Sequence, residues 1–91
     1  MLDLNTVLEL NKDIVLRGLA EKFWALDIST GNQYKLNEVS YTLLNLYRTP
    51  RTTAQAVDSM LLEYNVSRER LMADCCSVLQ FAVEKGIVKE V

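Results

Sequence analysis

Gln33-Tyr34-Lys35-Leu36-Asn37-Glu38-Val39 is the stretch at which the chain changes period. Before Asn37, Tyr34 and Leu36 share one face while Gln33 and Lys35 share the other, which is the alternation of a half-buried strand. After it, Val39, Leu43, Leu46 and Tyr47 recur at helical spacing. Asn37 is placed to cap that helix, with Leu36 and Tyr41 in staple positions. Strands are therefore expected up to Leu36 and helices beyond it.

Towards the N-terminus lie two more strand-like runs, Ile14-Val15-Leu16-Arg17 and Phe23-Trp24-Ala25-Leu26. Gly18-Leu19-Ala20-Glu21 joins them, and Asp27-Ile28-Ser29-Thr30-Gly31-Asn32 leads to the third run, with Gly31 and Asn32 suited to positive φ. All three glycines read as isolated turn residues. Two successive hairpins predict a three-stranded antiparallel meander. Residues 1–12 stay open between an extra short strand and a docking arm, through Val7, Leu8 and Leu10.

Towards the C-terminus, Pro50 ends the first helix near Tyr47. Thr52 and Gln55 spell a capping box, followed by Val57, Met60, Leu61 and Tyr64, with Asn65 as a left-handed stop. Ser67 caps a third helix with the apolar stripe Leu71, Cys75, Val78, Leu79 and Ala82, closed by Gly86. Ile87-Val88 return to the core as an extended tail. The expected class is α+β and winged-helix-like: a three-stranded antiparallel sheet, then three helices, in one domain spanning 1–91.

Composition removes most chemistries. The 91 residues contain no His, which excludes the Ser-His-Asp and Cys-His nucleophiles and the common zinc sets. Asp27, Glu38, Asp58, Glu63, Asp74 and Glu84 form no acid–base signature, and no Gly-rich phosphate loop exists. No enzyme activity, cofactor or metal is expected. Apolar runs are too short to span a membrane. The first twelve residues carry Asp3 and Glu9 and no basic segment, so no signal peptide is read and a cytoplasmic location is the default. Adjacent Cys75 and Cys76 are badly placed to bridge each other and read as reduced thiols.

The last two helices have helix-turn-helix proportions, so a winged-helix DNA-binding regulator must be weighed. The net charge is −2. In the third helix, Arg68, Arg70 and Lys85 are balanced by Glu69, Asp74 and Glu84. A neutral reading helix in an acidic domain is a poor phosphate binder. Arg48 and Arg51, flanking Pro50, read as a solvated loop. An edge strand beside a helix offers instead a groove that a peptide can enter by strand addition. The plainer alternative is an edge merely blunted by its shortness and by Lys35.

Leu26-Asp27-Ile28-Ser29-Thr30-Gly31-Asn32-Gln33-Tyr34-Lys35-Leu36-Asn37-Glu38 resembles the pyrroloquinoline quinone biosynthesis protein D family, the precursor-peptide recognition elements of ribosomally made, modified peptides. The pattern continues through Arg51-Thr52-Thr53, Leu62-Glu63-Tyr64-Asn65-Val66, Asp74 and Gly86-Ile87-Val88, covering about residues 13–91. The resemblance implies a non-catalytic domain that binds the leader of a precursor peptide along its third strand, against its third helix, and hands it to a processing enzyme such as a leader peptidase. Ile28-Ser29-Thr30-Gly31 and Arg48-Thr49-Pro50 depart from the quinone-pathway branch. A lasso-peptide cluster is therefore favoured over a peptide chaperone of quinone cofactor synthesis. No nucleic acid or membrane is implied as partner.

Carried onto this chain, the resemblance places the peptide along Asn32, Gln33, Tyr34, Lys35 and Leu36. A helical projection then gives Asp74, Val78, Phe81 and Lys85 as the wall beside it. Phe81 is either a groove aromatic or a core residue, and Asp74 either a leader contact or a solvated carboxylate. The opposite flank, Met72, Cys76 and Val83, is the alternative wall.

Overall fold

The computed structural model describes residues 4–91. Met1–Asp3, part of the expected N-terminal arm, lie outside the described residues. The elements run β1 (Val7–Leu10), β2 (Ile14–Leu19), β3 (Lys22–Asp27), β4 (Gln33–Leu36), α1 (Glu38–Leu46), β5 (Arg51–Thr52), α2 (Thr53–Leu61), α3 (Arg68–Glu84) and β6 (Val88–Glu90).

Strands β2, β3 and β4 form the expected antiparallel meander, in that order, so β4 is an edge. Its inner face carries Ile14, Leu16, Ala25 and Leu36, all buried, and α1 packs across it. The two turns are built differently. Between β2 and β3 only Ala20 and Glu21 intervene, both left-handed at φ 51° and 65°. Between β3 and β4, Gly31 takes φ +81° and donates its N–H to the Asp27 carbonyl, while Asn32 stays out of the left-handed region. One Asp27 carboxylate oxygen there accepts from Ser29 N–H at 2.9 Å and Ser29 Oγ at 2.6 Å. Chiefly through the Ser29 hydroxyl, this network holds the carboxyl below the ordinary aspartate range.

The helices begin where their caps stand. Asn37 Oδ1 accepts from Ser40 N–H, Thr52 and Gln55 complete a reciprocal box, and Ser67 Oγ accepts from Arg70 N–H. At the end of α3, Gly86 is left-handed at φ +74°. Gly86 N–H bonds the Val83 carbonyl and Ile87 N–H the Ala82 carbonyl. This is a complete Schellman motif, and it turns Ile87 and Ala82 inward, both fully buried.

Several expectations need correction. The tail does more than return to the core: β6 pairs with β1, which also pairs with β5, giving a second three-stranded sheet ordered β5-β1-β6. Within the described part of residues 1–12, Val7–Leu10 form a strand, with Leu8 fully buried. Arg51 is a half-buried strand residue within that sheet, not a solvated loop. Gly18 is not a turn residue. It lies within β2, opposite Phe23, and an added Cβ would sit 3.0 Å from the Phe23 ring and 3.3 Å from that of Tyr41. Those two rings lie 4.6 Å apart, packed over the space a side chain would fill. Asn65 is not left-handed; α2 ends at Leu61, and its cap Leu62 is still in helical conformation. The α1 core contact is made by Ser40, Leu43 and Leu44, while Val39 and Leu46 are only half-buried.

Candidate functional site

Strand alternation, register and helix phase together define a trough beside β4. The Asp27 N–H bonds the Asn32 carbonyl at 2.9 Å. Counting along the register, Ala25–Tyr34 and Phe23–Leu36 are then hydrogen-bonded pairs, and Leu26–Gln33 and Trp24–Lys35 are not. Gln33 and Lys35 consequently aim their backbone N–H and C=O groups away from β3, at the free edge.

The trough that this edge overlooks has two connected parts. One, of about 300 Å³, is lined by Lys35, Leu36, Asn37, Ser40, Leu44, Ser77, Val78 and Phe81. The other, of about 330 Å³, is lined by Asn37, Val39, Ser40, Asp74, Ser77 and Val78. Buried Leu36 and Leu44 provide an apolar floor, and Ser40, also buried, a polar point on it. The far wall is α3.

Phe81 dominates that wall. It is 41% exposed, large for an aromatic on a core-packed helix. Its ring stands edge-on to Tyr34 with centroids 6.1 Å apart, and Lys85 Nζ lies 5.9 Å from its centroid. The structure thus groups Lys35, Leu36, Val78 and Phe81 at one part of the trough and Asp74 at the other, while Tyr34 and Lys85 flank the Phe81 ring without lining the trough. Asn32 is at the turn, where its side-chain amide reaches the Tyr34 hydroxyl at 3.4 Å. Gln33 contributes edge backbone while its side chain is exposed. On the opposite flank of α3, Met72 packs against the core and Val83 is exposed.

Asn37, Ser40, Leu44 and Ser77 were not anticipated. Ser77 was within reach, because it lies three residues after Asp74 and four before Phe81, on the same helical flank. The α1 residues carry no such signal. Their place in the trough follows from how α1 crosses between sheet and α3.

Other chemistry is sparse. Burial pushes the Cys75 thiol up to about 11, so it stays protonated, and Cys76 is half-buried beside it. Among the described residues no group of three His, Cys, Asp or Glu side chains could hold a metal, and no helix is long and apolar enough to cross a membrane.

Residues 22–88 match the family model described as coenzyme PQQ synthesis protein D (PqqD). No curated protein matches the sequence significantly. Two solved structures share the fold. The first, TbiB1 in complex with the TbiA(beta) leader peptide, superposes with a TM-score of 0.76 at 20% identity, covering 89% of this chain and 94% of the other. The second, a lasso peptide synthetase B1 complexed with the leader peptide, gives a TM-score of 0.74 at 18% identity, over 90% of this chain and 96% of the other.

Proposed function

The chain belongs to the coenzyme PQQ synthesis protein D family, and from that premise we propose that it binds the leader segment of a ribosomally made precursor peptide as an added strand on β4. One observation carries this reading. The free N–H and C=O groups of Gln33 and Lys35 overlook a trough whose opposite wall presents a half-exposed aromatic, Phe81. Backbone bonds along the edge hold any extended peptide, and side-chain pockets beside it choose which one. The two structures that share the fold were solved with leader peptides, which supports the same reading.

The trough also suggests a polarity for its ligand. Asp74 and Lys85 are eleven positions apart on α3, about 16 Å at the helical rise. An extended segment of roughly five residues covers that length. A leader with an apolar residue over Leu36, Val78 and Phe81, a basic residue near Asp74 and an acidic one near Lys85 would meet complementary groups throughout.

The whole chain acts as one recognition domain and catalyses nothing itself. It raises the local concentration of the precursor beside a processing enzyme, such as a leader peptidase, in the cytoplasm. A lasso-type cluster is favoured over quinone cofactor synthesis, because both structural relatives carry leader peptides and one is a lasso peptide synthetase component.

Fluorescence anisotropy with a labelled leader from the precursor encoded beside this gene tests the assignment. Phe81→Ala is expected to weaken binding about thirtyfold, equivalent to about 2 kcal/mol, whereas Gln80→Ala should bind like wild type. Lys35→Pro deletes a donor from the free edge and should also weaken binding. Wild-type affinity in Phe81→Ala, with loss in Met72→Ala or Val83→Ala, would move the groove to the other flank of α3.

A further inference from the structure

The outer face of the β2-β3-β4 sheet, turned away from the helices, is used by nothing described so far except at its β4 border, Gln33 and Lys35. Alternation assigns it Val15, Arg17 and Leu19 from β2, Lys22, Trp24 and Leu26 from β3, and Gln33 and Lys35 from β4. Two features set it apart. Leu19 is 73% exposed, and Val15, Trp24 and Leu26 are only partly covered, so an apolar strip runs across the sheet. Every charged side chain on those strand positions is a cation: Arg17, Lys22 and Lys35. This occurs in a chain whose net charge is −2. Trp24 lies between Arg17 on one neighbouring strand and Lys35 on the other. A concavity of about 330 Å³ opens here between Arg17, Leu19, Trp24, Leu26 and Gln33.

We propose that this face docks a partner protein through a segment that alternates acidic and apolar residues. The apolar strip supplies the burial and the three cations select the sign of charge around it. A polynucleotide fits less well, since Trp24 is the one aromatic among three aliphatic side chains, too small a platform for successive bases, and three cations make a weak phosphate track. The face meets the trough only at β4, where Gln33 and Lys35 border both. A strand added to β4 leaves it open, so the leader and this partner can be held at once, on adjoining surfaces.

Trp24 is the chain's single tryptophan and reports directly on this face. The full protein, ¹⁵N-labelled, is titrated with a synthetic peptide of alternating Glu and Leu, with its Lys-Leu counterpart, with a single-stranded oligonucleotide and with phosphatidylglycerol vesicles. The Glu-Leu peptide should give a saturable blue shift of Trp24 emission and amide shifts centred on Val15–Leu26. Both responses should weaken with salt. Leu19→Glu should abolish them and Arg17→Glu should reduce affinity at least tenfold. Both variants should keep the wild-type melting temperature and the wild-type anisotropy with labelled leader, so loss of docking is distinguishable from loss of leader binding. No saturation at millimolar peptide, an equal response to Lys-Leu, amide shifts centred on Phe81 and Lys85, or a stronger response to the oligonucleotide or the vesicles would each overturn the proposal.

Discussion

The two sheets of this molecule are assembled from opposite kinds of contact. Sheet β2-β3-β4 is local: consecutive strands, two tight turns, and an edge left free at β4. Sheet β5-β1-β6 is made from the two ends of the chain and a two-residue strand in its middle. Leu8 pairs with Glu90, and Val7 with Thr52. The first sheet presents surfaces; the second closes the domain. Its closure is thorough. Leu10 N–H bonds the Tyr47 carbonyl at 2.7 Å, Asn11 N–H bonds the Ile87 carbonyl, and the Asn11 side chain bonds the Gly86 carbonyl at 3.1 Å. The C-terminal Schellman turn thus delivers β6 to β1. A domain of this size has little stability to spare, so the work of holding its ends together falls on few residues.

That division can be broken most forcefully at Leu8. It is fully buried on the central strand of the terminal sheet, a different sheet from the one that carries β4. Leu8→Ala should lower the unfolding free energy by about 3 kcal/mol in urea titrations, from lost burial and the cavity left behind. Leader affinity of the fraction that remains folded should not change. A Leu8→Ala protein that stays stable but loses leader binding would show that the two sheets do not divide the work as their contacts indicate.

A pH titration probes the same closing region more gently. Tyr47 packs under the terminal sheet, fully buried, and its hydroxyl has no hydrogen-bond partner among the described residues. Burial pushes its phenol up to about 12, with the Arg51 charge opposing. The folded value lies above the ordinary one near 10, so the unfolded chain releases this proton first. Stability from this group is intact below about pH 10 and is lost as pH rises towards 12, by a total on the order of 2 kcal/mol. Urea midpoints measured from pH 8 to 11.5 should fall steeply above 10. In Tyr47→Phe that fall should be shallower, with no loss at pH 7, because the deleted hydroxyl was already unpaired.

The same contrast explains what could be read from the sequence. The switch at Asn37, the capping box of Thr52 and Gln55, and the Gly86 stop are local chemistry, and each stands where the residues placed it. The stripe of Asp74, Val78, Phe81 and Lys85 is also local, being fixed by helical spacing; its first three members line the trough beside β4, and Lys85 sits against the Phe81 ring. Strands β5 and β6 gave no such signal. Arg51-Thr52 is too short to alternate, and Val88–Glu90 becomes a strand only because β1 is there to pair with it. Gly18 misled for a related reason. Its glycine serves the packing of Phe23 on Tyr41, a contact between a strand and a helix that no window around residue 18 contains. Asn37, Ser40 and Leu44 joined the trough through the placement of α1, which is again non-local.

Within the local sheet the two turns sharpen the comparison further, with the smallest effect. Gly31 takes the left-handed position of the second hairpin without steric cost, and Asp27 buttresses that turn through Ser29. The first hairpin has a two-residue connection with both residues left-handed, the pattern of a type I′ turn, yet they are Ala20 and Glu21. A Cβ in that region costs about 1 kcal/mol or more per residue, and Asn-Gly is the pair the geometry favours. The double variant Ala20→Asn with Glu21→Gly should therefore stabilise the protein by about 1 kcal/mol, raising the melting temperature by about 4–8 °C for a domain of this size. Part of the gain is offset because glycine widens the unfolded ensemble. Thermal melts of the two single variants separate these terms: Ala20→Asn should stabilise without that entropic penalty, and Glu21→Gly should gain less than its relieved strain. The turn lies at the Leu36 end of β4, where Glu21 shares a concavity with Leu36 and Asn37 of the trough, so the variant whose leader anisotropy should not move is Ala20→Asn alone. If both single variants melt below wild type, the left-handed pair is not strained, and the first hairpin is held by contacts of its strands, Phe23 with Tyr41 foremost, not in spite of its turn.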